Sequence, residues 1–314
     1  MAYSYAMLKV KKMSPALYEY LVSVVPKENI LENEPMSKHT TFKVGGEASC
    51  FVKVQTKEQL AQIVKYLNLV EREYYILGNG SNLLVGDKGY EGVMIDMTEM
   101  NKIKVEGNRM IAQAGAKLPN VAKIACDNSL SGLEFAAGIP GTVGGAAVMN
   151  AGAYEGEMKQ VVKNVTVVST QGEELVFDNE TMEFSYRHSC IKDTSFVVVE
   201  VEFELKPGNP EEIKATMDDF NGRRRDKQPL NYASAGSTFK RPEGHFAGKL
   251  IMDAGLRGYR IGGAQVSEKH CGFIINDGTA CAADIKDLMD EVTRIVKQKM
   301  NVELEPEVIL IGEF

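Results

Sequence analysis

Two stretches of this sequence could hold a phosphate through the main chain. The first, Gly78-Asn79-Gly80-Ser81-Asn82-Leu83, follows the apolar pair Ile76-Leu77. A tight glycine turn after a strand can gather several N–H groups into an anion-binding nest. It is not the dinucleotide fingerprint of a Rossmann domain, which needs a third glycine three residues after the second and a helix opening from the loop. Leu83 stands at that place and β-prone residues follow, so the motif read alone is equally a tight turn. The second stretch is Gly138-Ile139-Pro140-Gly141-Thr142-Val143-Gly144-Gly145-Ala146, continued by Asn150-Ala151-Gly152-Ala153. Glycine and alanine at this density remove the side chains that keep a ligand off the backbone, which suits an extended pyrophosphate; the competing reading is close helix packing.

The elements that must carry these loops follow from periodicity. Apolar residues at helical spacing predict helices over 15–25, around Leu60, Ile63, Val64 and Leu67, and over 119–126. Short β-prone runs predict strands at 74–77, 93–95, 103–105, 110–112, 165–168 and 174–177. Val199, Val201, Phe203 and Leu205 alternate with Glu200, Glu202 and Glu204, the pattern of a half-solvated sheet. At Pro207-Gly208-Asn209-Pro210 the composition turns abruptly to turn formers, and a polar helix follows that ends in the basic run Arg223 to Lys227; a domain boundary is expected there. Beyond it come a helix near 247–254, a strand at 273–276, a helix with Ile285, Leu288, Met289, Val292, Ile295 and Val296 on one face, and a closing strand at 306–311. No internal repeat or low-complexity segment interrupts this order. The expected fold class is α+β: an extension and helix over 1–37, a domain over 38–208 in two α+β parts (about 38–98 and 99–208), and a C-terminal α+β domain over 209–314.

Composition narrows the function. A chain of 314 residues, 44% hydrophobic, can bury a sizeable core, and 36 basic against 43 acidic residues give a net charge of -7. That balance argues against a nucleic-acid partner held by a basic surface. No apolar run approaches the roughly 20 residues that cross a bilayer. Residues 1–13 carry three lysines without an apolar block, so no secretory signal is expected. The cysteines Cys50, Cys126, Cys190, Cys271 and Cys281 are odd in number and scattered, which argues against a disulfide framework or a metal site and for a reducing cytoplasm.

With Lys38-His39-Thr40-Thr41-Phe42-Lys43-Val44-Gly45-Gly46 ahead of the two loops and Leu304-Glu305-Pro306-Glu307-Val308 near the end, the chain resembles the FAD-binding core of the vanillyl-alcohol-oxidase flavoproteins. Within them it resembles the UDP-N-acetylenolpyruvoylglucosamine reductase family, over nearly its whole length. The resemblance implies two subdomains holding FAD, then a domain that binds a UDP-sugar. It implies NADPH-dependent reduction of UDP-N-acetylglucosamine enolpyruvate to UDP-N-acetylmuramate in peptidoglycan synthesis. The partners implied are small molecules, with no nucleic acid and no membrane, and a monomer or weak homo-oligomer.

Reducing an enol ether takes a hydride donor, a proton donor, and something to hold charge on the neighbouring carboxylate. No side chain gives hydride, so a cofactor is required. The resemblance gives that role to FAD, held by both glycine loops and recharged by NADPH. It gives proton donation to Ser237, the substrate carboxylate to Arg187 in Tyr186-Arg187-His188-Ser189, and stabilisation of the intermediate to Glu307, with Glu305 as an alternative. A serine hydroxyl is a weak acid and serves only a strongly basic carbon with charge nearby, which Lys240 and Arg241 could supply. Tyr186, Arg224, Lys227, Lys240, Arg241, Gln265 and His270 are implied as substrate contacts. Each has a plainer reading: Gly236-Ser237 a turn, Arg187 a surface residue, Glu307 an exposed strand carboxylate, the arginine run a solvated helix end, His270 a structural histidine. No tyrosine occurs between Tyr186 and Tyr232, so the chain resembles a shorter branch without a tyrosine-bearing insertion, running from Arg187 straight into a strand. Rival readings are an FAD-dependent alcohol oxidase of the same superfamily and a non-catalytic UDP-sugar-binding protein.

Overall fold

The computed structural model describes residues 13–314, and the readings made for residues 1–12 lie outside them. Helix α1 (Pro15–Val24) starts at Ser14, whose hydroxyl accepts the Leu17 N–H, with Pro15 at a position that needs no donor. Then come β1 (Ile30–Pro35), β2 (Glu47–Lys53), α2 (Lys57–Leu69), β3 (Tyr74–Leu77), β4 (Leu83–Val85) and β5 (Tyr90–Asp96). Four of these strands form a sheet in the order β1-β2-β5-β3, with β2 and β3 parallel to β5. Thr56 caps α2, and Leu60, Ile63, Val64 and Leu67 are all buried in the core that includes Val52, Val93 and Ile95. The expected apolar stripe is thus the face that packs.

The second part holds β6 (Ile103–Glu106), β7 (Arg109–Gln113), α3 (Leu118–Asp127), β8 (Leu130–Ser131), α4 (Val143–Val148), β9 (Gly152–Ala153), β10 (Gly156–Glu157), β11 (Val162–Val168), β12 (Glu174–Asp178), β13 (Val197–Glu204) and β14 (Lys206–Pro207). Five strands pair antiparallel in the order β12-β11-β13-β7-β6. Val199, Val201 and Phe203 of β13 are buried while Glu200 and Glu202 are half-buried, as their alternation predicts. One continuous apolar core joins this sheet to the first.

Helix α5 (Pro210–Lys227), expected to open the C-terminal domain, packs instead on the 3-10 segment Glu134–Gly138 and on α3. The turn-forming run before it folds the chain back, and β14 pairs with β8. The composition break marks a reversal there, not a departure.

The remaining elements are α6 (Ala247–Asp253), β15 (Arg260–Ile261), β16 (Ala264–Val266), β17 (Ile274–Asn276), α7 (Ala282–Met300) and β18 (Ile309–Ile311). Ile285, Leu288, Met289, Val292 and Val296 of α7 are buried in a second core that also takes in Phe42, Val44 and Leu84. This part is fastened to the first sheet's region at several points. β18 runs parallel to β4, with Ile309 opposite Leu83 and Ile311 opposite Val85. The Asp87 carboxylate accepts the Ala282 and Ala283 N–H groups at 2.8 Å each, at the positive end of α7. Asn276 Nδ2 donates to the Phe42 carbonyl at 2.9 Å. Among the described residues no helix is long and apolar enough to cross a membrane.

Candidate active site

The first glycine loop is clamped from two sides. Gly80 has a φ of +57°, and a Cβ on it would lie 2.0 Å from the His39 carbonyl oxygen; one on Gly78 would meet Thr142 Oγ1 at 2.4 Å. Only glycine fits either place. Asn79 Nδ2 donates to the Pro140 carbonyl at 2.6 Å and so ties the two glycine loops together. None of the backbone N–H groups of residues 78–82 donates to a protein acceptor among the described residues, which leaves them for an anion.

The second loop runs into α4, a short helix that periodicity did not foresee. The Val143 and Gly144 N–H groups are already spent on the Ala116 and Ala114 carbonyls, at 2.8 Å each. At Gly141 and Gly145 by contrast an added Cβ would make only ordinary contacts, with no atom nearer than 3.7 Å. Between the loops lies a cavity of about 550 Å³, walled by Gly78, Asn79, Gly80, Ser81, Asn82 and Leu83 and by Ile139, Pro140, Gly141, Thr142, Gly144, Gly145, Ala146, Gly152 and Ala153. Tyr75, Met97, Ala114, Leu118 and Val198 supply an apolar wall. Unspent amides beside glycines, next to a long apolar surface, fit a dinucleotide such as FAD.

Three segments far apart in sequence bring side chains to the same cavity. Arg187 sits at the tip of a turn in which Ser185 and His188 exchange two backbone hydrogen bonds of 3.1 and 3.2 Å. Its φ of +56° is left-handed, a conformation that costs a non-glycine residue about 1–3 kcal/mol and is kept where the surroundings require it. The turn aims the guanidinium at Glu307, where Nε donates to Oε1 at 2.7 Å. Glu307 is itself held by its backbone: its N–H donates to the Thr238 carbonyl at 2.8 Å and its carbonyl accepts Asn82 Nδ2 at 2.9 Å. The two side chains are only 23% and 14% exposed. Burial raises the Glu307 carboxyl above the usual carboxylate range, and the charges of Arg187, Lys240 and Lys192 oppose that rise. Ser237 follows Gly236, whose φ is +77°, and its hydroxyl lines the cavity without a hydrogen-bond partner among the described residues. Thr238 anchors it, donating its N–H to the Gly272 carbonyl at 2.8 Å and accepting the Ile274 N–H on Oγ1 at 3.0 Å.

Arg224 also lines the cavity. Several expected contacts do not. Gly138 packs beneath Arg224, and buried Asn150 is occupied by Glu157, the Ser185 carbonyl and the Lys159 N–H. Gln265, expected on the substrate, accepts from Arg260 and donates to the Gly258 carbonyl. His270 is lowered in pKa by burial and accepts the Gly272 N–H on Nδ1, away from the cavity lining. Lys227 is exposed and away from the cavity. Tyr186 and Arg241 flank the trio, the tyrosine oxygen accepting the Arg241 N–H at 3.1 Å. Lys240 pairs with Glu305, which is 68% exposed, so Glu307 is the glutamate that reaches the cavity. Between Arg187 and β13 the chain makes a 3-10 turn, Cys190–Asp193, instead of entering the strand directly. That turn brings Lys192 to the cavity, its Nζ 3.5 Å from the Arg187 carbonyl. Lys192 and Gln228 were missed by sequence reasoning; the spacing of Gln228 one helical turn after Arg224 was the available signal.

Residues 48–178 match the family of FAD binding domains, and residues 228–311 match the family of C-terminal domains of UDP-N-acetylenolpyruvoylglucosamine reductase. The UDP-N-acetylenolpyruvoylglucosamine reductase of Caldanaerobacter subterraneus is 47% identical over 301 residues, 96% of this chain and 100% of its own length. That of Clostridioides difficile is 49% identical over 298 residues, 95% of this chain and 98% of its own. The crystal structure of the Thermus caldophilus UDP-N-acetylenolpyruvylglucosamine reductase superposes with a TM-score of 0.76 at 35% identity, over 90% of this chain and 97% of that one. An alkyldihydroxyacetonephosphate synthase superposes with a TM-score of 0.50 at 15% identity, over 64% of this chain and 42% of that one, a likeness of fold alone. Glycine-lined α+β subdomains around one cleft, followed by a C-terminal α+β part, define an FAD-binding oxidoreductase. The chain belongs to the UDP-N-acetylenolpyruvoylglucosamine reductase family.

Proposed function

We propose that this protein reduces UDP-N-acetylglucosamine enolpyruvate to UDP-N-acetylmuramate at the expense of NADPH, in the cytoplasm, for peptidoglycan synthesis. FAD, which the two glycine loops would hold, would supply the hydride chemistry that no side chain can, with NADPH as the reductant that recharges it. The observation that carries the reading is the 2.7 Å contact of Arg187 with Glu307 on the cavity shared by Ser237 and both glycine loops.

Arg187 spends only Nε on Glu307, so both terminal nitrogens remain for the two oxygens of the enolpyruvyl carboxylate. As charge moves onto that carboxylate, a guanidinium already fixed in place stabilises it without reorganising. Glu307 holds Arg187 in its left-handed turn and balances its charge before substrate arrives. Ser237, with no competing acceptor, gives its hydroxyl proton to the substrate carbon that does not receive hydride. Its weak acidity suits only the strongly basic carbon next to a charged carboxylate.

Ser237→Ala tests the assignment. Flavin reduction by NADPH should keep its rate, while reoxidation by the enolpyruvyl sugar should slow by about 10²- to 10⁴-fold. Normal rates in both halves would remove Ser237 from the mechanism. Rapid reoxidation by air with no response to the sugar would favour an alcohol oxidase instead.

A further inference from the structure

Arg224 is a cation without a counter-ion. It lies in the last turn of α5 and reaches the cavity wall, where its guanidinium makes no ion pair or hydrogen bond among the described residues. Its neighbour Arg223 pairs with Asp219 at 2.7 Å. Burial lowers the affinity of Arg224 for its proton, the mark of a charge taken from water without compensation. Glycine at 138 makes room for it: a Cβ there would lie 3.0 Å from Arg224 Cδ and 3.3 Å from Nη1. One helical turn on, Gln228 lines the same cavity, and its Oε1 is buried with no hydrogen-bond partner. An unpaired guanidinium and an orphaned amide oxygen are each unfavourable in the free protein, and both belong to residues that line this cavity one helical turn apart. A donor fork and an acceptor on one wall match a phosphate oxygen and a sugar hydroxyl of one nucleotide.

We propose that Arg224 and Gln228 form the side-chain half of a nucleotide subsite for FAD, Arg224 holding a diphosphate oxygen and Gln228 Oε1 accepting from an adjoining hydroxyl. The location assigns it to the flavin and not to the UDP-sugar that the sequence resemblance implied for Arg224. Helix α5 is anchored on Glu134–Gly138 and α3, and Arg224 lies against the second glycine loop. The inference rests on the reading that this cavity holds FAD.

The test compares holoenzymes of the unaltered protein, R224A, R224K and Q228L. FAD release on dilution is followed by recovery of flavin fluorescence, and KM for NADPH and for the enolpyruvyl sugar is measured with FAD kept saturating. R224A should hold FAD about 10- to 100-fold more weakly, Q228L about 3- to 10-fold, and R224K in between, with both KM values within about twofold. If R224A does not fold, R224K and Q228L carry the comparison. Unchanged FAD release in the variants would overturn the proposal, as would a tenfold rise in KM for the sugar with FAD retention intact. A Q228L protein that gains thermal stability and loses no FAD would also overturn it. Flavin release is read without turnover, so a protein that retains FAD as described yet never reduces the sugar would sink the proposed function and leave this subsite standing.

Discussion

The two walls of the cavity are built from opposite materials. The glycine wall offers backbone: unspent amides of residues 78–82 and small residues that Cβ atoms would crowd or block. Each of its two loops is a short continuous run of sequence, and the character of the wall lies in the side chains it lacks. The opposite wall offers side chains: Arg187 from a turn in the second part, and Ser237 and Glu307 from the C-terminal part. Arg187 and Glu307 meet across 120 residues of chain, and Asn82 joins the two walls by reaching Glu307 across 225. The first wall depends on local conformation; the second is assembled only by the whole fold. Damage to one should therefore appear in cofactor retention, and damage to the other in one half-reaction.

Arg187→Ala should have the largest effect after Ser237→Ala, slowing reoxidation by the enolpyruvyl sugar about 10²- to 10³-fold while FAD content and reduction by NADPH hold steady. Stopped-flow traces of the two half-reactions would check it, and equal slowing of both would merge the walls.

Glu307→Gln should slow the same step by about 10-fold or more and change its pH dependence. Burial raises the folded carboxyl above its ordinary 4.5, so the rate in the unaltered protein should climb as pH rises through that higher value, and Glu307→Gln should flatten this limb. The same shift acts on stability. The folded chain keeps this proton to higher pH than the unfolded chain, so the stabilisation is complete below 4.5 and is lost as pH rises through the folded value. Chemical unfolding across that window, with and without the substitution, would reveal a group that titrates normally.

Gly80→Ala probes the other wall. The strained φ and the contact with the His39 carbonyl should cost about 1–3 kcal/mol and release FAD, while any molecules that keep flavin react normally with the sugar. The smallest expected effect is that of Asp87→Ala, which removes the cap of α7 and should cost about 1 kcal/mol in thermal unfolding.

The same contrast explains what the sequence could tell. The loops at 78–83 and 138–153, the stripe of α2 and the alternation of β13 are local patterns, and local patterns can be read. The meeting of Arg187 with Glu307 is not local, and without the family resemblance each residue reads as an ordinary surface group. Helix α5 was misplaced because a turn that reverses the chain and a turn that leaves a domain have the same composition. Gln265 and His270 show the limit of such reading, because a polar side chain with partners inside the fold has the same identity as one that awaits a substrate.

The most direct measurement is the visible spectrum of the purified protein, followed without oxygen through addition of NADPH and then of the enolpyruvyl UDP-sugar. A flavin band that bleaches with NADPH and returns with the sugar is the predicted result. A protein that shows no flavin even after FAD is supplied, or a bleached band that the sugar does not restore, would contradict the account.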